Sequence, residues 1–267
     1  MRTYISVFRI RLMLGMQYRV AAFAGVAVQF FWGFITIMVF EAFYASSGAI
    51  QPMTLSQLVT YVWLQQSFLY IIMMWYRDHS LFDLITQGNI AYELCRPLNL
   101  YFLWYAKLIA GRLSGVLLRC VPILVVSFFL PEPYRLMLPP DVPTLLLFIL
   151  SLLLGLTVVV AISMLMYISV FVTLSPIGSS LIFSVVGEFL AGMIIPIPLM
   201  PIWAQKIAYL FPFHLTCDMP MRIYSGHIPF NEALTGIGIQ IVWVLGLVIC
   251  GSLLMKTVLK RVTVQGG

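Results

Sequence analysis

Long apolar runs separated by short polar stretches dominate this chain, at residues 21–43, 55–75, 103–130, 144–173, 178–196 and 233–255. Each is close to or beyond the roughly 20 residues that carry a helix across a bilayer. Within lipid no backbone N–H or C=O is left unpaired, so runs of this length are expected as helices. The run at 144–173 is long enough to tilt or to project beyond the membrane. The pattern predicts an all-α polytopic membrane protein of six transmembrane helices, forming one transmembrane domain over residues 1–267.

Composition strengthens that expectation, because 62% of residues are hydrophobic and only 9% charged, whereas a soluble domain carries about a quarter charged residues. The placement of the charges adds orientation. Arg2, Arg9, Arg11 and Arg19 precede the first run; Arg77, Arg96, Lys107 and Arg112 fall between or near the second and third; Lys256, Lys260 and Arg261 follow the last. Arg135, Lys206 and Arg222 occupy the alternate loops and are matched there by Glu132, Asp141, Asp218 and Glu232. The positive-inside rule therefore predicts a multi-pass cell-membrane protein with both termini cytoplasmic. The net charge of +6 reads as a topology signal that also suits anionic headgroups, and it calls for membrane lipid rather than a nucleic acid as partner.

Residues 1–20 are interrupted by arginines too often for a cleavable signal. They read as an amphipathic interface helix with Ile5, Phe8, Leu12 and Met16 on one face. Cys95, Cys120, Cys217 and Cys250 are scattered, without metal-ligand or disulfide spacing. His79 and Asp83 stand one residue short of a His-x4-Asp pair, and His214 and His227 have no neighbouring carboxylate or second His in a metal pattern. No Gly-x4-Gly-Lys-[Ser/Thr] sequence occurs. The chain is accordingly not expected to be an enzyme or to hold a cofactor, and any work driven by ATP requires another chain to bind the nucleotide.

The polar stretch at 76–100 carries Arg77, Asp78, His79 and Asp83, and then two stop signals, Gly88 and Arg96-Pro97. Two short helices broken at those points are expected; they would form either a compact cytoplasmic projection or an ordinary turn with solvated charges. Glu188 falls about ten residues into the fifth run, where a carboxylate is costly and marks either a translocation pathway or a paired structural group. Pro196, Pro198 and Pro201 forbid one continuous helix to Phe213, although the stretch stays apolar, so a broken segment at membrane depth is expected to pack against protein or to line a cavity. Glu41, at the outer end of the first run, and Gln29, Gln65, Gln66 and Gln240 are expected to be structural. Trp75, Tyr76, Tyr101, Trp104, Trp203 and Tyr209 are expected as interface anchors, and the deeper Phe30, Phe31, Trp32 and Phe34 as packing or cavity lining.

The string Gly88-Asn89-Ile90-Ala91-Tyr92-Glu93-Leu94-Cys95-Arg96-Pro97-Leu98 resembles the Gly-x-Ile-x3-Leu-x-Arg-Pro-Leu signature of type-2 ABC exporter permeases, in the daunorubicin-resistance-like branch. A second block is similar to the same family: Phe189-Leu190-Ala191-Gly192, Ile195-Pro196, Leu199-Met200-Pro201-Ile202-Trp203, Leu210-Phe211-Pro212-Phe213, Pro220 and Ile223-Tyr224-Ser225-Gly226. The resemblance implies a six-span permease with an N-terminal interface helix, a cytoplasmic coupling helix within 76–100 and a re-entrant extracellular hairpin within 197–230. It also implies a separate pair of cytoplasmic ABC ATPase subunits that bind ATP and Mg, and a second six-span permease, identical or related.

On this resemblance, coupling to the ATPase is expected of Arg77, Asp78, Asp83, Gly88, Ile90, Glu93, Leu94, Arg96 and Pro97, with Glu93 and Arg96 bonding to the ATPase around apolar contacts from Ile90 and Leu94. The pathway or gate is expected at Glu188, Gly192, Pro196, Pro198 and Pro201. The cargo implied is hydrophobic or amphipathic, possible examples being a cationic drug, a lipid or a peptide. An ion-coupled carrier or a membrane assembly factor are the alternative readings of the same residues.

Overall fold

A computed structural model describes residues 2–17, 19–46 and 51–260. Arg261 lies outside them, and nothing is described of the Arg2 and Arg19 side chains. Among the described residues the fold is entirely helical: α1 Arg2–Gly15, α2 Arg19–Ser46, α3 Leu55–Ser67, α4 Leu69–Ile72, α5 His79–Thr86, α6 Ile90–Leu94, α7 Leu100–Phe128, α8 Val142–Thr173, α9 Pro176–Leu190, α10 Ile202–Leu210, α11 Asp218–Tyr224 and α12 Phe230–Leu259. Four helices are long and apolar enough to cross a membrane: α2, α7, α8 and α12.

The helix starts follow from local chemistry. Thr54 and Gln57 form a reciprocal capping box on α3, and Asp78, Asn99, Asp141 and Ser175 accept hydrogen bonds from the first-turn N–H groups of α5, α7, α8 and α9. Each satisfies donors that a helix start otherwise leaves free. Two apolar runs do not continue as single helices. The run at 55–75 breaks at Phe68, and the one at 178–196 stops at Leu190, because Gly192 adopts φ +75 and Pro196 follows. That backbone angle is readily available only to glycine.

Helix α8 is the axis of the bundle. It packs against α4, α5, α7, α9, α11 and α12, and Val158, Val159, Val160 and Ala161 are fully buried in sequence, so its middle stretch is covered all round. Side-chain amides and a phenol tie the helices together, as inter-helix hydrogen bonds do in lipid. Gln29 donates to Gln66 O at 3.0 Å, Gln240 to Ser151 O at 3.0 Å, and Tyr105 to Thr157 O at 2.6 Å.

Both described ends of the chain lie at one end of the bundle. Tyr4 Oη accepts the Asn99 N–H at 2.9 Å at the start of α7, and Gly251 of α12 faces Tyr101. At the other end Trp63 Nε1 donates to Tyr134 O and Tyr134 Oη to Glu41, both at 2.8 Å. Glu41 is thus held by a structural bond. Phe30 and Phe34 pack edge-on against Trp63, while Phe31 and Trp32 face outward.

Three expectations about surfaces need correction. On α1 the face against α7 runs through Tyr4, Val7, Phe8, Arg11 and Leu12, and Ile5 is exposed; the buried stripe is set by where α7 lies, not by apolar residues alone. Tyr101 and Trp104 are buried core rather than interface anchors. Arg112, counted above among the cytoplasmic charges, is 0% exposed. Its Nη1 donates to Met73 O at 2.8 Å and to Tyr70 O and Ile71 O at 3.3 Å, and its Nη2 donates to Ser163 Oγ at 3.2 Å. The guanidinium therefore caps the carbonyls that α4 leaves free and joins it to α7 and α8.

Replacing Arg112 by Gln should strand several buried carbonyls and cost on the order of 3 kcal/mol. We expect a clear drop in the melting temperature of the detergent-solubilised protein, with a smaller drop for Arg112→Lys. Equal melting of Arg112→Gln and wild type would contradict the capping role.

Candidate functional site

Two regions gather the residues singled out in the sequence, one at each end of the bundle. The first is the block formed by α5 and α6. Asp78 caps α5 and accepts a bond from Ser80 N at 3.0 Å, and its other carboxylate oxygen lies 3.5 Å from Arg11 of α1. The Asp78 N–H donates to Tyr167 Oη of α8 at 2.8 Å, and the Phe82 ring lies 4.7 Å from the Tyr167 ring. Gly88, at φ +73, turns the chain from α5 into α6. A residue with a side chain would be strained there.

The Glu93 carboxylate faces inward and is buried. It accepts from Lys107 Nζ and Trp104 Nε1, both at 2.8 Å, with Arg96 at 3.8 Å. Burial opposes its charge, but the Lys107 and Trp104 hydrogen bonds and the two cations outweigh that and hold its pKa below the ordinary glutamate value. Ile90 is likewise buried. Of the residues expected to meet an ATPase, Ile90 and Glu93 are therefore turned into the protein, and Asp83, Leu94, Arg96 and Pro97 are exposed. Tyr92, 73% exposed, belongs to the same outward flank, and sequence reasoning passed it over. In a five-residue helix residues three apart share a face, so Ile90 and Glu93 turn inward together. Arg77 points elsewhere and lines a cavity beside α2.

The second region follows α9. The chain reverses at Gly192 and passes through a tight turn at Ile197–Leu199, the nine-residue α10 and a turn at Pro212–Leu215 into α11. Asp218 N donates to Ala191 O at 3.1 Å, so the excursion closes on its own start. Helix α10 is only about 14 Å long, too short to cross a bilayer.

Asp218, weighed in the sequence only as a loop charge, is the hub of this closure and is fully buried. Its Oδ1 accepts from Ile197 N at 3.1 Å and from Tyr61 Oη at 3.4 Å, and its Oδ2 pairs with Arg222 at 3.0 Å. Tyr61 also donates to Gly192 O at 2.8 Å, Gln65 to Met193 O at 2.6 Å, and Arg222 to Tyr209 Oη at 2.9 Å. A Cβ on Gly192 would fall 3.0 Å from Tyr61 Oη and 3.2 Å from the Asp218 side chain. The signal open to sequence reading was the Asp218–Arg222 spacing, which places opposite charges one helical turn apart.

Pro196 is buried, Pro198 half-buried and Pro201 exposed. Beside them an apolar groove of about 440 Å³ runs between α2 and the turn, lined by Ile35, Val39, Phe43, Ile194, Ile195 and Leu199 among others. Glu188, on the preceding helix, is half-buried. Its carboxylate has no ion pair or hydrogen bond among the described residues, and its helical neighbours Val185 and Phe189 are exposed.

Residues 30–266 match the ABC-2 family transporter protein profile. No curated protein and no solved structure matched. With nearly its whole length accounted for by that match, and with helices fit to cross a membrane, this chain belongs to the ABC-2 family of membrane transporter components.

Proposed function

We propose that the chain is one permease of an ATP-driven exporter, working with a second six-span permease and a separate pair of cytoplasmic ABC ATPase subunits that bind ATP and Mg. In this reading α2, the α3–α4 pair, α7, α8, α9 and α12 are the six spans, with both termini cytoplasmic as the arginine distribution favours. The excursion between α9 and α11 re-enters the outer leaflet, with its broken backbone satisfied by Asp218, Tyr61 and Gln65.

The observation that carries the reading is the construction of the α5–α6 block. Outwardly it offers Asp83, Tyr92, Leu94 and Arg96, an exposed aromatic and apolar patch with charges at its edge. Inwardly it is bolted to α7 through Glu93–Lys107 and Trp104, and to α8 through Asp78–Tyr167. A push on the exposed flank is thereby delivered to the two helices that make up much of the core. ATP-driven closure of the ATPase pair moves this block, and α7 and α8 carry the motion to the outer turn, switching the permease pair between inward-open and outward-open states. A hydrophobic or amphipathic cargo leaves between the two permeases, past Glu188 and the apolar groove beside Pro196, Pro198 and Pro201.

Tagged protein extracted from native membranes should retain an ATP-hydrolysing ABC subunit together with a second permease. In that preparation Tyr92→Ala and Arg96→Glu should each weaken ATPase retention roughly tenfold, the loss expected from a central contact residue. Glu93→Gln should instead lower the melting temperature, since its partners lie within the chain. Recovery of the chain alone, or unchanged ATPase retention by both surface variants, would overturn this reading.

For the pathway, Glu188→Gln should reduce export of an amphipathic cation from inverted vesicles severalfold at unchanged expression and subunit recovery. Full export by that variant would remove Glu188 from the pathway. Asp218→Asn should loosen the outer turn and lower the melting temperature by an amount corresponding to about 2 kcal/mol, read by thermal unfolding in detergent.

A further inference from the structure

A cavity of about 740 Å³ lies at the level of the first turns of α2 and opens between that helix, α4, the 73–79 connector and α7. It belongs neither to the coupling flank nor to the outer turn. Among the described residues its charged lining consists of Arg77 and Arg119, with the imidazole of His79 at its exposed rim, and no carboxylate lines it. Asp78, the nearest acid in sequence, is already paired with Arg11.

The two arginines are poorly satisfied by the protein itself. The Nε atoms of both are buried without a hydrogen-bond partner, as is Gln29 Oε1 on the same wall. Arg119 lies 4.1 Å over the Tyr70 ring and, among the described residues, makes only a long 3.5 Å bond to Gly115 O. Arg77 has no intrachain ion pair or hydrogen bond among the described residues. Buried guanidinium nitrogens of this kind call for an anionic oxygen.

The surroundings say where that oxygen comes from. Trp75 at the rim is 41% exposed, as an aromatic at headgroup level is. From Val28 on the cavity wall, the exposed apolar stripe of α2 continues through Phe31, Trp32 and Ile35 away from the cations. A charged pocket at one end and an apolar stripe leading from it match the two halves of a lipid.

We propose that this cavity binds the headgroup of an anionic membrane lipid of the inner leaflet, its phosphate held between Arg77 and Arg119 and its acyl chains lying along α2. Lipid occupancy would fix the 73–79 connector, which leads directly into Asp78 and α5, so the site is placed to tune the position of the coupling block.

The test uses the purified full chain in mixed micelles, without ATP or any ATPase, so that its outcome is independent of the exporter reading. Lipid retained after gel filtration is counted by mass spectrometry with phosphatidylglycerol and phosphatidylcholine supplied equally. Phosphatidylglycerol should be preferred, and Arg77→Gln and Arg119→Gln should each cut that preference about fivefold, the loss expected for one cation at a membrane surface. Arg119→Lys should keep most of it, and Arg9→Gln, on the exposed face of α1, should leave it intact. The Arg77 side chain makes no intrachain ion pair or hydrogen bond among the described residues, so its variant decides the matter even if Arg119→Gln fails to fold. Equal retention of the two lipids by wild type, or an equal loss in Arg9→Gln and Arg77→Gln, would overturn the site. Displacement of phosphatidylglycerol by millimolar inorganic phosphate would assign the cavity to free phosphate and overturn its assignment to lipid.

Discussion

A backbone that breaks within a bilayer must have its freed N–H and C=O groups taken up by the protein, because no water is there to take them. This chain breaks twice within predicted spans, at Phe68 and after Leu190, and buried side chains take up the groups freed there. Gln29 donates to Gln66 O just before the first break, and Arg112 reaches from α7 to the carbonyls at the end of the short α4 that follows it. Asp218 reaches from α11 to the Ile197 N–H and, through Tyr61, to the Gly192 carbonyl. These ties run between segments distant in sequence, so the breaks also fix where α3, α7 and the outer turn stand relative to α8.

The same logic explains the α5–α6 block. Two helices of eight and five residues have little stability alone, and this pair is held by contacts to long helices: Glu93 to Lys107 and Trp104, Asp78 to Arg11, and the Asp78 backbone to Tyr167. The block is thereby stiff on its inner side and free on its outer side. That asymmetry is what a lever requires, and it rests on charged residues that a count of sequence charges assigns simply to the cytoplasm.

The sequence made legible much of what depends on local chemistry. The long helices followed from their apolar length, whereas the helix caps at Thr54, Asp78, Asn99, Asp141 and Ser175 were not read from the sequence although their chemistry is local. Gly88 marked a break and adopts positive φ; the break after the fifth run was read from Pro196, Pro198 and Pro201, while the chain reverses earlier, at Gly192. Illegible was whatever depends on which segments become neighbours. Arg112 read as one more inner cation, although it caps a broken helix; Glu93 read as an outward contact, although α6 turns it toward Lys107. Asp218 read as a loop charge, although the excursion after α9 folds back and buries it. Tyr92 was missed because an exposed aromatic within a short amphipathic stretch carries no signal until the inward face of α6 is known.

The central claim is that the outward flank of α6 docks an ATPase, and the chain carries its own probe for it. Cys95 is an exposed thiol beside Arg96. A short thiol-to-amine cross-linker applied to native membranes should join Cys95 to an ATP-binding-cassette subunit, and Cys95→Ser should abolish the adduct. Efficient labelling of Cys95 by a maleimide with no adduct to any ATPase would contradict the account.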